Sequence, residues 1–228
     1  MLILPQTYRK LWEQIRQHNI KLSASTIPDV FGLGYKTRRS VWLEKCHKKS
    51  AIDNEHLIRM KKYGQEKEAI AKQEILDMPL FKEWKKFNIG FWRYAKNPAY
   101  GFSPDLVLVK NDKSELSGIE IKCPFYAQDD EDLPRIGHLI QSICCMEMST
   151  VCDSWYLFYW QPEPLKKHVY KIERNQTFWE EQFFPLIEEA ANLVWNPSST
   201  RKQLSVNRDR KIFINDLILK NYKINKVY

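Results

Sequence analysis

Apolar residues recur at helical spacing over residues 6–18, where Tyr8, Leu11, Trp12 and Ile15 share one stripe and predict a first amphipathic helix. A second helix is expected to begin at Ser25 or Thr26, since both suit an N-cap and Pro28 and Asp29 suit the first turn. Gly32-Leu33-Gly34 breaks it, and a basic helical segment follows over 37–49. Residues 54–78 read as one long helix with Ile58, Ala69, Ile70 and Ile75 on its apolar side. Gly64 sits inside that helix, where it marks close packing or the close approach of a ligand.

The period then changes. Residues 87–92 read as a strand, and the apolar run Leu106-Val107-Leu108-Val109 as another. Asn111-Asp112-Lys113-Ser114 makes a turn, and Gly118 to Lys122 forms a further strand. An apolar helix is expected over 136–148, strands over 154–160 and 167–172 joined through Pro162 and Pro164, and an amphipathic helix over 178–194. Beyond Asn196 the composition turns basic and small, predicting a linker and a short C-terminal element over 212–222. The order predicts an α/β fold with a central mixed β-sheet flanked by helices. It places one domain over residues 1–200 and a basic C-terminal extension over 201–228.

Composition narrows the class. With 228 residues, 43% hydrophobic and 13% aromatic, the chain is expected to fold rather than remain disordered. A net charge of +8 fits a nucleic-acid partner, and it would also fit an anionic membrane. Lys36, Arg38 and Arg39, followed by Lys45, Lys48 and Lys49, stand where a nucleic-acid backbone could lie, the plain alternative being a solvated face. No basic-then-apolar leader opens the sequence, no apolar run approaches a membrane span, and the five cysteines lack a framework spacing. A reducing, intracellular setting without membrane contact is expected. Cys144, Cys145 and Cys152 near His138 lack paired zinc-ligand spacing in an apolar helical context, so they are read as buried thiols.

The chemistry-bearing stretch is Ser103-Pro104-Asp105 with Glu120-Ile121-Lys122. Two residues apart in a strand, Glu120 and Lys122 project from one face while Ile119 and Ile121 point to the other. Two carboxylates can hold Mg²⁺ and a neighbouring lysine can orient or activate a water. The alternative is a surface hairpin with solvated charges.

The wider sequence resembles the lambda-exonuclease family, the viral recombinase or alkaline exonuclease branch of the PD-(D/E)xK nucleases. The resemblance spans about residues 8–195 and rests on an ordered set. It comprises Trp12-Glu13-Gln14-Ile15-Arg16, Ser23-Ala24-Ser25, Gly64-x-x-x-Glu68, Ser103-Pro104-Asp105, Glu120-Ile121-Lys122-Cys123-Pro124-Phe125, a helix bearing Gln141, and Trp155-Tyr156-Leu157. It implies a restriction-endonuclease-like core. Asp105, Glu120 and the Ile121 carbonyl would ligate Mg²⁺, for which Mn²⁺ may substitute, and Lys122 would position or deprotonate the attacking water. Glu68 would support a second metal or its waters, and Gln141 would join the active site. Arg16 and Ser25, with Ser23 beside them, would hold a 5′-terminal phosphate.

The activity so implied is 5′→3′ digestion of double-stranded DNA to mononucleotides during viral recombination or replication in an infected host cell. A single-strand annealing protein as partner and a homotrimer come with the same resemblance. Three departures stand out: Leu106 where many members have glycine, Ile143 where a second glutamine is common, and a longer Arg16–Ser25 spacing. A structure-selective endonuclease of the same fold and a non-catalytic DNA-binding module are the alternatives.

Overall fold

Two short strands, β1 (Ile3–Leu4) and β2 (Leu22–Ser23), precede helices α1 (Ile27–Val30), α2 (Arg38–His47) and α3 (Glu55–Leu76) in the computed structural model. Strands β3 (Trp84–Phe87), β4 (Phe91–Arg93), β5 (Tyr100–Phe102), β6 (Leu106–Lys110) and β7 (Leu116–Lys122) follow. Helix α4 (Ile136–Ser149) leads to β8 (Ser154–Pro162) and β9 (Leu165–Glu173). A short α5 (Gln176–Phe178) runs through a π-helical turn (Trp179–Phe183) into α6 (Phe184–Trp195), and α7 (Arg208–Asn221) and β10 (Ile224–Lys226) close the chain. The structure describes residues 3–4, 10–11, 14–15, 20–47, 55–87, 89–126 and 132–228.

The main sheet has six strands in the order β10-β9-β8-β7-β6-β3. Only β7 and β8 pair in parallel, and α4 is the crossover that parallel pairing requires. All other neighbours in this sheet are antiparallel, so the sheet is mixed as expected. Alternation along β7 sorts its side chains between two packed layers. Ile119 and Ile121 join Ala71 and Ile75 of α3, together with Leu106, Leu108 and Phe158. On the opposite face Val107, Trp155, Leu157 and Tyr159 pack with Leu139, Ile140 and Ile143 of α4. Removing those aliphatic and aromatic surfaces from water is the main stabilising term, and α4 is buried along most of its length.

Three expectations change. A second sheet of four strands, in the order β1-β4-β5-β2, stands beside the predicted one. Its strands are two or three residues long, too short for an alternation to be read. Residues beyond 200, set apart in the sequence as a basic extension, send Ile214, Ile218 and Tyr222 into the main core and pair β10 with β9. The charged face of α7 masks this, because a one-sided helix needs few apolar residues to dock. The helix expected after Ser25 is only Ile27–Val30, and Thr26 at its N-cap makes no capping hydrogen bond through its side chain. Of the first predicted helix, residues 10–11 and 14–15 are described and helical. No helix among the described residues is long and apolar enough to cross a membrane.

Candidate active site

Asp105 stands one residue before β6, and its Oδ2 accepts the Ile121 main-chain N–H at 2.7 Å. This bond ties the carboxylate across the strand pair to the middle of the Glu-x-Lys segment. On β7, Glu120 and Lys122 point to the α4 side, as their spacing predicts, and Lys122 Nζ donates to Glu120 Oε1 at 2.7 Å. Gln141 arrives from α4 and closes a three-membered knot. Its Nε2 donates to Glu120 Oε1 at 2.6 Å and its Oε1 accepts from Lys122 Nζ at 3.0 Å. An amide can serve a carboxylate and an ammonium together because it carries both a donor and an acceptor.

The electrostatics are unbalanced. Glu120 is only 3% exposed, and its Oε2 is buried without a hydrogen-bond partner. Burial, then the Glu120 carboxylate, push the Asp105 carboxyl well above its ordinary value. Lys122 pulls against them, and Glu68 adds to the rise. Burial alone would lower the Lys122 ammonium, but Glu120 and Asp105 outweigh it and raise the pKa. Two carboxylates therefore share one lysine, and the site lacks positive charge. Burial, with Glu68 and Asp105, also lifts the nearby Cys123 thiol to about 12, which keeps it protonated and poorly nucleophilic.

The knot opens onto a cleft of about 770 Å³, whose wall includes Ser25, Tyr35, Lys36, Glu68, Lys122 and Gln141. Glu68 reaches it from α3 and is salt-bridged to Lys72 one turn on. A Cβ on Gly64 would meet nothing within 4 Å, so close packing does not explain that glycine, which lines the cleft. Ser25 is exposed on the cleft wall, while Ser23 is buried and its hydroxyl lies 3.0 Å from that of Ser25 and 2.9 Å from that of Thr26. Arg16 lies outside the described residues.

Of the basic face expected after residue 36, Lys36 and Arg38 are engaged within the protein, while Lys48 and Lys49 lie outside the described residues. Lys36 bonds Glu44 at 2.6 Å. Arg38 is buried, its guanidinium donating to the carbonyls of Val30 at 2.6 Å and Gln203 at 3.2 Å, so it staples the fold instead of facing a phosphate. Its forked donors make that burial tolerable. Arg39 alone of the three is fully at the surface.

Two cleft residues escaped the sequence reading as functional groups, Tyr35 and His138, whose ring nitrogens bond Tyr35 at 2.9 Å and Tyr159 at 2.7 Å. No spacing rule links residues so far apart. Among the described residues no three His, Cys, Asp or Glu side chains gather closely enough to hold a metal ion unaided. The donors on offer are two hard carboxylates, one carboxylate oxygen being unpartnered. That is the chemistry Mg²⁺ or Mn²⁺ takes, with water filling the remaining positions.

The family model described as a YqaJ-like viral recombinase domain matches residues 11–135. No curated protein sequence matches the chain. Among solved structures, an alkaline exonuclease from Laribacter hongkongensis is similar at 15% identity over 92% of this chain and 98% of its own, with a TM-score of 0.56. The same exonuclease in complex with dAMP matches with the same figures, 15% identity and a TM-score of 0.56. At this identity the likeness establishes a shared fold.

Proposed function

The chain belongs to the YqaJ-like viral recombinase domain family, and from that premise we propose that it is a Mg²⁺-dependent exonuclease that degrades duplex DNA in the 5′→3′ direction to mononucleotides. The observation that carries this reading is the hydrogen-bonded Asp105/Glu120/Lys122/Gln141 constellation, part-buried around an enclosed Glu120 and short of one positive charge, at the wall of an open cleft. An alkaline exonuclease with the same fold, seen with dAMP, supports the reaction class and a mononucleotide product.

Asp105, Glu120 and the Ile121 carbonyl would hold the ion, with Glu68 serving its waters or a second ion from α3. When bound, such an ion neutralises the scissile phosphate and lowers the pKa of the attacking water. The protein's own groups supply the rest. Lys122, held by Glu120 and Gln141 at the cleft, would position or deprotonate the attacking water and offset charge on the phosphate. Gln141 fixes the rotamers of both Glu120 and Lys122, which holds these groups in line without reorganisation. Ser25 on the cleft wall, together with Arg16, would take a 5′-terminal phosphate.

The test is digestion of end-labelled duplex carrying either a 5′-phosphate or a 5′-hydroxyl. Mononucleotide release that needs Mg²⁺ and prefers the phosphorylated end is expected. Comparable nicking of a closed circular plasmid would instead favour a structure-selective endonuclease. Salt-sensitive binding without hydrolysis, unaffected by Asp105→Ala, would return the non-catalytic module. A homotrimer and an annealing-protein partner are expected from the resemblance and are checked by light scattering and co-purification.

A further inference from the structure

Tyr35 is 70% exposed, yet its hydroxyl is held by a side chain that is almost wholly enclosed. His138 is 8% exposed, and its two ring nitrogens lie 2.9 Å from the Tyr35 hydroxyl and 2.7 Å from that of Tyr159. Tyr159, in turn, is buried and takes a hydrogen bond from the main chain of Arg135. The loop bearing Tyr35 is seated as firmly as its hydroxyl. Asp29 Oδ1 accepts the Lys36 N–H at 2.9 Å, and the Tyr35 main chain bonds the same carboxylate. A Cβ on Gly34 would lie 2.0 Å from Asp29 Oδ1, and one on Gly137 would lie 2.4 Å from the Leu33 carbonyl oxygen. Only glycine allows both approaches, so the loop is locked against α1 and against the start of α4.

The chain of bonds has a direction. A main-chain N–H can only donate, so Tyr159 accepts from Arg135 and passes its own proton to His138 Nδ1. With Tyr159 donating to Nδ1, the two bonds are met by the His138 tautomer that carries its proton on Nε2, and burial, with Lys122 and Arg135 nearby, lowers the pKa and favours the neutral ring. His138 then donates to the Tyr35 oxygen, and the Tyr35 O–H is left to donate into the cleft that Lys122 also lines. The Tyr35 ring touches the His138 ring but is otherwise largely open to the cleft.

We propose that Tyr35 contacts the substrate: its hydroxyl, aimed by His138 and Tyr159, donates a hydrogen bond to a non-bridging oxygen of the DNA backbone beside the phosphate served by Lys122. Tyr35 is the contact residue, and His138 and Tyr159 position it. The inference rests on the nuclease reading and sharpens it by naming a backbone contact outside the Asp105/Glu120/Lys122 set.

Tyr35→Phe removes only the hydroxyl. It is expected to lower kcat/KM roughly 10- to 100-fold, the size of one hydrogen bond to a charged group, with the melting temperature unchanged. Tyr159→Phe should lose less, and should add nothing on top of Tyr35→Phe, since both act through one bond. In a second arm, duplex binding is measured by anisotropy in the hydrolysis-blocked Glu120→Gln protein. Adding Tyr35→Phe should weaken binding of an all-phosphodiester duplex but not of one with a methylphosphonate at the contacted linkage. If wild type digests DNA and Tyr35→Phe stays within twofold of it, the proposal is overturned while the nuclease reading stands. If wild type digests nothing, the nuclease reading falls, and equal binding with and without the Tyr35 hydroxyl then overturns the proposal as well.

Discussion

Helix α4 carries one buried glutamate and faces another, Glu147 at 2% and Glu120 at 3% exposure, and each keeps an Oε2 that is enclosed without a hydrogen-bond partner. What differs is the surrounding charge, because Glu147 has a cation of its own and two donors on one oxygen. Its Oε1 accepts the Asn175 N–H at 2.9 Å and the Tyr222 hydroxyl at 3.1 Å, and its Oε2 faces Arg174 at 3.5 Å. Arg174 also bonds the carbonyls of Met146 and Cys152, so the cluster joins α4, β9 and α7 and encloses its charges in pairs. Glu120 has one lysine, shares it with a second carboxylate, and opens onto a cleft. Where opposite charges are matched and closed off, a buried ion pair holds elements together. Where like charges are left short of a cation beside open space, the arrangement stores a demand that a ligand must meet.

The sharpest way to break this contrast is to remove a charge from each cluster. Lys122→Ala should slow digestion of end-labelled duplex about 10³-fold or more, the range for losing a charged group that acts directly on the reacting atoms. Undiminished rates would return Glu120 to the structural class. Glu147→Ala should do the reverse. Removing the carboxylate that faces Arg174 and accepts from Asn175 and Tyr222 is expected to lower stability by about 3–5 kcal/mol in urea unfolding, with kcat of the folded fraction within twofold of wild type.

Asp105→Asn makes a subtler separation. The folded pKa of Asp105 stands above the ordinary 3.8, so the native state binds more protons between those values and loses stability as pH rises through that window. At neutral pH, without metal, Asp105→Asn should therefore stabilise the protein by about 0.5–2 kcal/mol while abolishing hydrolysis. Mg²⁺ should raise the melting temperature of wild type and not that of the variant. A loss of stability in Asp105→Asn would show that the carboxylate holds the fold. The smallest effect concerns Gly64, where alanine meets nothing within 4 Å and should add about 0.5–1 kcal/mol of helix stability. A simultaneous rise in KM would show that substrate comes close to α3 at that point, whereas an unchanged KM would remove the ligand reading of the glycine.

Much of this arrangement is legible in the amino-acid sequence. Helix α3 and strands β8 and β9 lie within two residues of where apolar periodicity put them, because each is long enough to repeat its pattern several times. Strands β1 and β2, at two residues each, and the docking of α7 through Ile214 and Ile218 carried too little pattern to read. Arg38 stood in a basic run that reads as a surface. Its burial depends on two carbonyls, Val30 and Gln203, the second of them 165 positions away.

The sequence by itself determined that Glu120 and Lys122 share a face, since a strand alternates sides at every residue, and that Asp105 would precede an adjacent strand. Only the tertiary structure decided what meets them. Gln141 reaches Glu120 because α4 crosses over between parallel β7 and β8, and Tyr35 meets His138, 103 residues apart, because two glycines let its loop settle onto that helix. Spacing along a chain governs neighbours within one element. The pairing of distant side chains follows from which surfaces pack together, and that is settled only when the whole core closes.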